Sequence, residues 1–359
     1  MLRIAKRAAL TRKQSITYRI LAVTAALFAS GIFILVLGHN PFAVYASMLE
    51  GAFGTLYRFK ETIIKMVPLV ITSLGIAVAF KMKFWNIGAE GQIFMGGFAA
   101  SYFALNYPSI PMPLMLLVMA AAGALAGGIW ALIPAFFKAQ FGTNETLFTL
   151  MMNYIALKWI TYLQYGPWKD PKVKGFPLIA KFNENAFLPK FLGIHIGWVI
   201  MLILVAVMYI FMKRTKMGYE IAVVGESENT ARYAGINIKR IIISAMLISG
   251  GLCGLSGMIQ AAGVNHTLGI ELTSGIGFTA IITTWLGQLS APVILGVSFL
   301  FSILIQGGSF IQTAFQIPAT VAQLIQGIIL FFVLGTEFFI QYRLVPKAKP
   351  AIIKQKEAV

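Results

Sequence analysis

A series of apolar runs, most of them about as long as a lipid bilayer is thick, dominates this chain. A helix needs about 20 apolar residues to cross the hydrocarbon core of a membrane. Because two of the runs fall short of that length, broken or re-entrant helices buried within protein are expected there. The sequence therefore predicts an all-α, polytopic transmembrane helix bundle of about ten spans, with eight as the lower bound. The ten runs are Ile20–Leu37, Ile63–Phe80, Ile93–Leu105, Leu114–Phe137, Thr146–Leu163, Ile194–Phe211, Ile241–Gly263, Gly277–Leu289, Val293–Gly307 and Ala319–Tyr342.

Composition supports lipid as the solvent for most of the chain. Of the 359 residues 58% are hydrophobic and 11% are charged, and the mean hydropathy is +0.80. A soluble domain carries roughly 25% charged residues. The net charge of +17 would suggest a nucleic-acid partner in a soluble protein. In a membrane protein Lys and Arg collect in cytoplasmic loops for topological reasons, so no nucleic acid is expected.

Charge also predicts the orientation. Most of the 29 basic residues fall in segments that lie on one side when ten spans are drawn. This pattern predicts a cytoplasmic N-terminal tail (1–19), a single transmembrane domain (20–342) with a cytoplasmic loop at 213–239, and a cytoplasmic C-terminal tail (343–359). The loop at 164–193 holds five lysines against this trend, and we interpret it as external. No small-residue cleavage site follows the first apolar run, so we expect an uncleaved first helix.

A polar island, Gly218–Gly235, separates two of the apolar runs. Within it Ser227 can cap a short helix, Glu228 suits the positive N-terminal end, and Gly235 can terminate the helix. A small cytoplasmic helix of this kind fits a groove on another protein. An ordinary surface loop is the alternative. The candidate docking residues are Gly225, Glu226, Ser227, Asn229, Ala231, Arg232 and Gly235.

A second polar group lies between the second and third runs, at Phe84–Gln92. It places Asn86, Glu90 and Gln92 beside Gly88 and Gly91 at a membrane boundary. A carboxylate there is costly unless it is paired or hydrated, so it suggests a functional site. The alternative is a hydrated polar turn that caps the next helix.

Glycine spacing predicts close helix contacts. Gly123 and Gly127, and likewise Gly250 and Gly254, form pairs of small residues four positions apart. Such pairs let the backbones of two membrane helices approach closely. They say little about function.

Several motifs that would indicate catalysis are missing from the sequence. There is no G-x-x-x-x-G-K-[ST] motif for binding ATP and no H-E-x-x-H zinc motif. The single cysteine, Cys253, excludes an internal disulfide framework, and the three histidines are scattered. We therefore expect no catalytic residue, no metal site and no cofactor in this chain.

The stretch Phe84–Gln92 resembles the Phe-Asn-Ile-Gly-(Ala/Val)-Glu-Gly-Gln signature of permease subunits of ABC importers. That family includes the nucleoside, simple-sugar and branched-chain amino-acid permeases. Trp85 is a departure from the signature, but Asn86, Gly88, Glu90, Gly91 and Gln92 match it. Tyr219–Gly235 is similar to the coupling loop of the same family, the matching positions being Ala222, Gly225, Asn229, Ala231, Ala234 and Gly235. The resemblance covers roughly Ile63–Phe339 and is greatest to the nucleoside-type branch.

This resemblance implies a transport subunit that is not itself an enzyme. Two permease chains, often unlike, would form the pore in the bacterial cytoplasmic (inner) membrane. Two cytoplasmic ATPase chains would bind ATP and Mg, and an extracytoplasmic solute-binding protein would deliver the solute. The residues of the polar island would couple to the ATPase. Asn86, Gly88, Glu90, Gly91 and Gln92 would belong to the translocation pathway or its gate, and Asn265 and Gln288 are further pathway candidates.

Two alternatives stay open on the residues alone. The solute could be a simple sugar or riboflavin rather than a nucleoside. A different class, an ion-coupled secondary transporter, would need ionisable residues deep in the membrane. Lys158 and Glu337 are the candidates for that role.

Overall fold

The computed structural model describes residues 2–6, 12–173 and 175–346, and this structure is mostly helical (77%). Each apolar run of the sequence lies mostly within a helix. The helices are α1 (Arg12–Val36), α2 (Pro41–Phe53), α3 (Leu56–Lys81), α4 (Ala89–Asn106), α5 (Met112–Phe141), α6 (Glu145–Tyr165), α7 (Gly197–Arg214), α8 (Lys216–Glu226), α9 (Glu228–Tyr233), α10 (Ile238–Gln260), α11 (Ile276–Leu286), α12 (Ala291–Ala314) and α13 (Ala319–Gln341). A 3₁₀ turn (Glu184–Ala186) and a π-helical turn (Ala261–Asn265) complete the helical elements.

The expectation of an all-α fold misses two short antiparallel sheets. One pairs β1 (Leu2–Lys6) with β4 (Tyr342–Pro346), and the other pairs β2 (Lys190–Phe191) with β3 (Ile194–His195). The first sheet brings together strands from the two ends of the chain. Because the two strands are directly hydrogen-bonded, these two segments lie on the same side of any membrane that the chain spans.

Length and composition alone identify fewer spans than expected. In the described residues, five helices are long and apolar enough to cross a membrane: α3, α5, α7, α10 with its π-helical turn, and α12. The pair α1 and α2, bent by 112°, would make a sixth. The two short runs form α4, with 18 residues, and α11, with 11. The count of about ten spans is therefore not confirmed.

The described residues form two compact units, one from Met1–Ser47 with Ile311–Val359 and the other from Met48–Phe310. In the first unit α1 packs against α13. The Tyr45 hydroxyl donates to the carbonyl of Leu27 at 2.6 Å and lies 2.7 Å from the Ser30 hydroxyl, which ties α2 to α1. The tails at 1–19 and 343–359 contribute β1, β4 and the start of α1, and their remaining residues lie outside the described residues. The division into two tails and one domain stays a prediction.

The second unit is built around α3, α4, α5 and α10, which make its most extensive helix contacts. The predicted glycine packing is confirmed between α5 and α10. A Cβ on Gly127 would lie 2.6 Å from the Cα of Gly254, and a Cβ on Gly123 would lie 3.3 Å from the Gly254 carbonyl oxygen. Only residues without a side chain allow the two backbones to approach this closely.

The return from α10 to α11 is a broken span. After α10 the chain forms the π-helical turn, continues without a helix over 266–275, and then enters α11. Leu268 and Leu272 are buried in this segment, and a Cβ on Gly97 of α4 would contact both of their side chains. The segment therefore packs along α4 inside the protein, where irregular backbone is tolerated at membrane depth.

The loop at 164–193 is an ordered cover over this broken span. The Phe182 amide donates to the carbonyl of His266 at 2.9 Å, and the Leu188 amide donates to the carbonyl of Ala262 at 3.1 Å. The Thr267 hydroxyl donates to the carbonyl of Ile179 at 3.0 Å. This cover and α9 lie at opposite ends of α10, whose 23 residues span about 35 Å.

Candidate functional site

The connector between α3 and α4, residues 82–88, carries a pair of buried amide side chains. Asn86 Nδ2 donates to Gln92 Oε1 at 3.2 Å, and Gln92 Nε2 donates to Asn86 Oδ1 at 3.0 Å. Asn86 Nδ2 also donates to the Ser249 hydroxyl oxygen at 3.1 Å. The pair thus joins the connector to α4 and α10.

Two residues of α6 clamp the same connector from the other side. The Gly91 amide donates to Asn153 Oδ1 at 2.8 Å, and Asn153 Nδ2 donates to the Ile87 carbonyl at 2.8 Å. The Ile87 amide donates to the Thr149 hydroxyl at 3.1 Å. A Cβ on Gly91 would lie 3.0 Å from Asn153 Oδ1. A glycine is needed at this position, in the first turn of α4, because Asn153 of α6 approaches the α4 backbone so closely.

Glu90 caps the N-terminus of α11. The Gly275 amide donates to Glu90 Oε1 at 3.1 Å and the Gly277 amide donates to Oε2 at 2.6 Å. Backbone amides at a helix N-terminus and the helix dipole both favour a negative charge. This contact offsets much of the cost of burying the carboxylate.

These contacts correct the alternative of a hydrated polar turn. Asn86, Glu90 and Gln92 have exposed fractions of 0%, 8% and 1%. Glu90 caps α11 and not α4, whose own N-terminal residue, Gly88, makes no side-chain cap. The group forms a closed polar junction, in which each of these three side chains has a partner within the protein. A role in the pathway or gate stays a prediction.

The two further pathway candidates lie away from this junction. Asn265 ends the π-helical turn beneath the cover and is half-buried. Gln288 follows α11, is exposed, and has a left-handed backbone with φ +51°. The two positions bracket the broken span, one before it and one after it.

The helix predicted in the polar island is confirmed as α9. The Thr230 amide donates to the Ser227 hydroxyl at 3.2 Å, so Ser227 is the N-cap, and Glu228 lies in the first turn. Gly235 follows the helix with φ +74°, a conformation that glycine adopts without strain. The helix before it, α8, was not expected from the sequence.

The α8–α9 pair presents a mixed surface. Ala231 is fully buried, whereas Glu226, Asn229, Arg232 and Gly235 are exposed. Tyr233, at the end of α9, is 94% exposed. A large aromatic side chain with almost no contact to its own chain is typical of a binding anchor.

The α8–α9 surface packs directly against the end of α3. Gly225 lies so close to the carbonyl of Lys81 that a Cβ would overlap the carbonyl oxygen. Lys83 Nζ donates to the Glu226 carbonyl at 3.4 Å. A cavity of about 170 Å³ lies beside this contact, lined by parts of the connector, of α8 and of α9. The 2.8 Å ion pair between Lys138 and Glu145 forms another part of its wall.

The sequence interpretation missed the residues that hold the junction together. Asn153, Thr149 and Ser249 were treated as parts of apolar runs, and Gln164 as the edge of a loop. Isolated amide and hydroxyl groups within apolar spans were the available signal, since such groups need partners inside the membrane. Pairing them with the connector required the three-dimensional structure.

Of the two residues considered for an ion-coupled transporter, one has a described side chain. Lys158 is exposed on α6. Glu337 lies in α13, and its side chain lies outside the described part of the structure. Among the described residues no group of three or more His, Cys, Asp or Glu side chains could hold a metal ion.

Comparison with known proteins gives a consistent result. A family described as "Branched-chain amino acid transport system / permease component" matches residues 58–334. The chain is 31% identical to a glucose ABC transporter permease of Haloferax volcanii, over 90% of this chain and 88% of the relative. It is 32% identical to the nucleoside permease NupB of Lactococcus lactis, over 94% and 95%. It is 30% identical to the guanosine permease NupP of Bacillus subtilis, over 88% and 91%. The last two organisms each have a second, less similar permease, NupC and NupQ, at 26% and 27% identity.

Proposed function

The chain belongs to the family of permease components of branched-chain amino acid transport systems, and we propose that it is the permease subunit of an ATP-driven ABC importer for nucleosides. It is a multi-pass membrane protein that forms part of the translocation pathway. ATP and Mg are bound by a partner ATPase, and this chain performs no catalysis. The membrane is the cytoplasmic membrane.

One observation supports the coupling proposal: the α8–α9 surface is exposed and packs directly against the end of α3. Tyr233 and Arg232 face outward, while Gly225 holds the pair against the end of α3. A force applied to α9 by a moving ATPase is therefore transmitted to the connector and α3, not absorbed by a loose loop. Alternating access then follows from rigid-body movement of the helices.

The other partners follow from the arrangement of the two ends. With the α8–α9 surface on the cytoplasmic side, the cover at 164–193 faces outward. Its lysines offer a basic surface to an extracytoplasmic solute-binding protein. The pairing of β1 with β4 supports both chain ends lying on one side. The paired nucleoside permeases of Lactococcus lactis and Bacillus subtilis support a second, unlike permease chain.

The solute proposal rests on the names of the relatives. Of the three relatives described above at 30–32% identity, two are named for nucleosides or guanosine. A simple sugar is the second candidate, because the third is named for glucose. Riboflavin has weaker support, a relative named as a probable riboflavin permease at 22% identity.

Co-purification of the tagged chain from membranes in mild detergent tests the class. We expect an ATPase, a second permease chain and a solute-binding protein. The solute-binding protein can then be titrated with guanosine, glucose and riboflavin. A chain recovered without any ATPase would contradict the proposal and favour the secondary transporter.

Two matched variants test whether the α8–α9 surface binds the ATPase. Tyr233→Ala removes the exposed aromatic at the end of α9, and Tyr165→Ala removes one that is 57% exposed at the opposite end of the unit. Loss of an interface anchor costs about 2 kcal/mol, or roughly thirtyfold in affinity. We expect Tyr233→Ala alone to weaken ATPase binding by that factor. Equal binding by both variants would place the ATPase elsewhere.

A further inference from the structure

The Glu90 side chain joins α4 to the start of α11, and this contact is called the pin below. One carboxylate, 8% exposed, accepts hydrogen bonds from two backbone amides through different oxygens. A Cβ on Gly277 would lie 2.5 Å from Glu90 Oε2 and 2.6 Å from the Glu90 amide nitrogen. The α4 backbone and the start of α11 are therefore in direct contact, and the side chain completes the contact.

The broken span held by this pin has left-handed backbone at both ends. His266 and Ser274 have φ of +54° and +45° before α11, and Gln288 and Leu289 have φ of +51° and +56° after it. Residues other than glycine occupy this conformation rarely, and only where surrounding contacts impose it. Such positions favour an element that changes conformation when those contacts are released.

The middle of the non-helical segment, at Ile270, is held by a second set of hydrogen bonds. Gln164, 6% exposed at the end of α6, accepts the Ile270 amide at 3.0 Å and donates to the Pro177 carbonyl in the cover at 2.9 Å. The segment is thus fixed to α4 through Glu90 and to the cover through Gln164.

A continuous series of contacts also links the α8–α9 surface to Glu90. Gly225 of α8 lies against Lys81 and Met82, and the connector runs from there to α4. Asn86, paired with Gln92, fixes the connector to the first turn of α4, where Glu90 lies. A displacement of α8 therefore reaches the start of α11 through contacts between packed backbones and buried side chains.

We propose that Glu90 is a positioning residue that binds no solute and instead pins the start of α11, so that the broken span 266–286 stays closed until movement of the connector releases it. This proposal rests on the proposed function, because it assigns the movement to a partner ATPase. The closed state of the pin is independent of that partner and can be tested without it.

The chain suits cysteine labelling, because its one cysteine, Cys253, is fully buried. Leu272→Cys, a fully buried position in the same segment, reports its opening through the rate of reaction with a membrane-impermeant maleimide, because it reacts only when the segment leaves its contact with α4. Glu90→Gln keeps the size of the side chain and removes its charge. Gly277→Ala displaces the carboxylate without altering it, which gives a second route to the same effect.

Two variants serve as matched controls. Glu271→Gln removes an exposed carboxylate from the same segment, and Gly296→Ala adds a Cβ in α12 where no atom lies within 4 Å. All variants are prepared in proteoliposomes together with whatever partner chains co-purify, and the parent chain, whose one cysteine is Cys253, gives the background labelling.

Without nucleotide, we expect Glu90→Gln and Gly277→Ala each to raise the labelling rate of Leu272→Cys about tenfold, the effect of losing a charge-assisted hydrogen bond. Neither control should change it. With ATP, the unmutated reporter should label faster, and Glu90→Gln should remove that response. An unchanged nucleotide-free rate in both variants would overturn the proposal. So would a rise in the solute KM of Glu90→Gln with the labelling rate unchanged, since that identifies a solute contact.

The failure of the proposed function has a different signature. In that case no ATPase co-purifies with the unmutated chain, and ATP has no effect on any reporter. The nucleotide-free labelling rates still decide whether Glu90 holds the broken span.

Discussion

The side-chain amides of Asn86 and Gln92 form a reciprocal hydrogen-bonded pair, at 3.2 and 3.0 Å, six residues apart and almost entirely buried. Each amide supplies one donor and one acceptor to the other. Asn86 Oδ1 also accepts the Gly88 amide at 3.0 Å. The connector therefore has a fixed shape, and that shape determines where Glu90 lies.

We predict that Asn86→Asp destabilises the protein by about 2 kcal/mol, the cost of leaving a buried polar group unpaired. The substitution keeps Oδ1 and replaces the donor Nδ2 by an acceptor that faces Gln92 Oε1. Asn229→Asp, the same change at an exposed position of α9, should leave stability nearly unaltered. Thermal unfolding in detergent, followed by tryptophan fluorescence, compares the two variants. Equal midpoints would mean that the pair contributes little.

A methyl group at Gly225 should separate α8 from α3. The carbonyl of Lys81 leaves no room for a Cβ, and backbone atoms cannot move away as a side chain can. Gly225→Ala should cost about 1–3 kcal/mol in overpacking and weaken ATPase co-purification. Gly251→Ala is the control, because its nearest neighbour would be the Ala124 carbonyl oxygen at 3.5 Å. Normal ATPase binding by Gly225→Ala would show that the base of α8 does not transmit force.

Helix packing between α5 and α10 should be equally intolerant. Gly127→Ala places a Cβ against Gly254 and should lower the unfolding free energy by about 1–3 kcal/mol. Gly327→Ala on α13 meets nothing within 4 Å, and it should be neutral or raise stability by up to about 1 kcal/mol through helix propensity. Parallel unfolding curves test the difference in sign. A Gly127→Ala protein as stable as the parent would mean that the two helices can separate without cost.

Acid should loosen the cover through His195. This residue lies in β3, outside α7, with an exposed fraction of 2%, and neither ring nitrogen has a hydrogen-bond partner in the described structure. Burial and, to a smaller extent, the nearby His266 together lower its pKa to about 4. Because an unfolded histidine titrates near 6.5, the unfolded state binds more protons between these values, and stability falls as the pH drops from 6.5 towards 4.

The expected loss between pH 7 and pH 5 is about 2 kcal/mol. His195→Phe should remove most of this loss, whereas His39→Phe, in the other unit, should retain it. Hydrogen exchange of the segment 164–196 at the two pH values measures the effect locally. Protection factors, which correct for the intrinsic pH dependence of amide exchange, should fall at pH 5, and equal protection factors at the two pH values in the parent protein would contradict the prediction.

The membrane class and most of the helices could be predicted from the sequence. Long apolar runs with few charges are stable in a lipid bilayer, and there they must form helices because the backbone polar groups have no water to bind. The cap and end of α9 were also predictable, since Ser227 and Gly235 act on residues within one or two turns. Local capping and hydrophobic length depend on neighbours in the chain, which the sequence displays directly.

The roles of Glu90, Asn153 and Gln164 were decided only by the tertiary structure. Glu90 caps a helix that begins 186 residues later, at Ile276, and nothing in the sequence indicates that separation. The broken span was visible only as a weak apolar run, because its non-helical part is stabilised by side chains of α4 and α6. A buried polar group must find a partner, but the sequence does not specify which one, since the choice depends on how the helices pack.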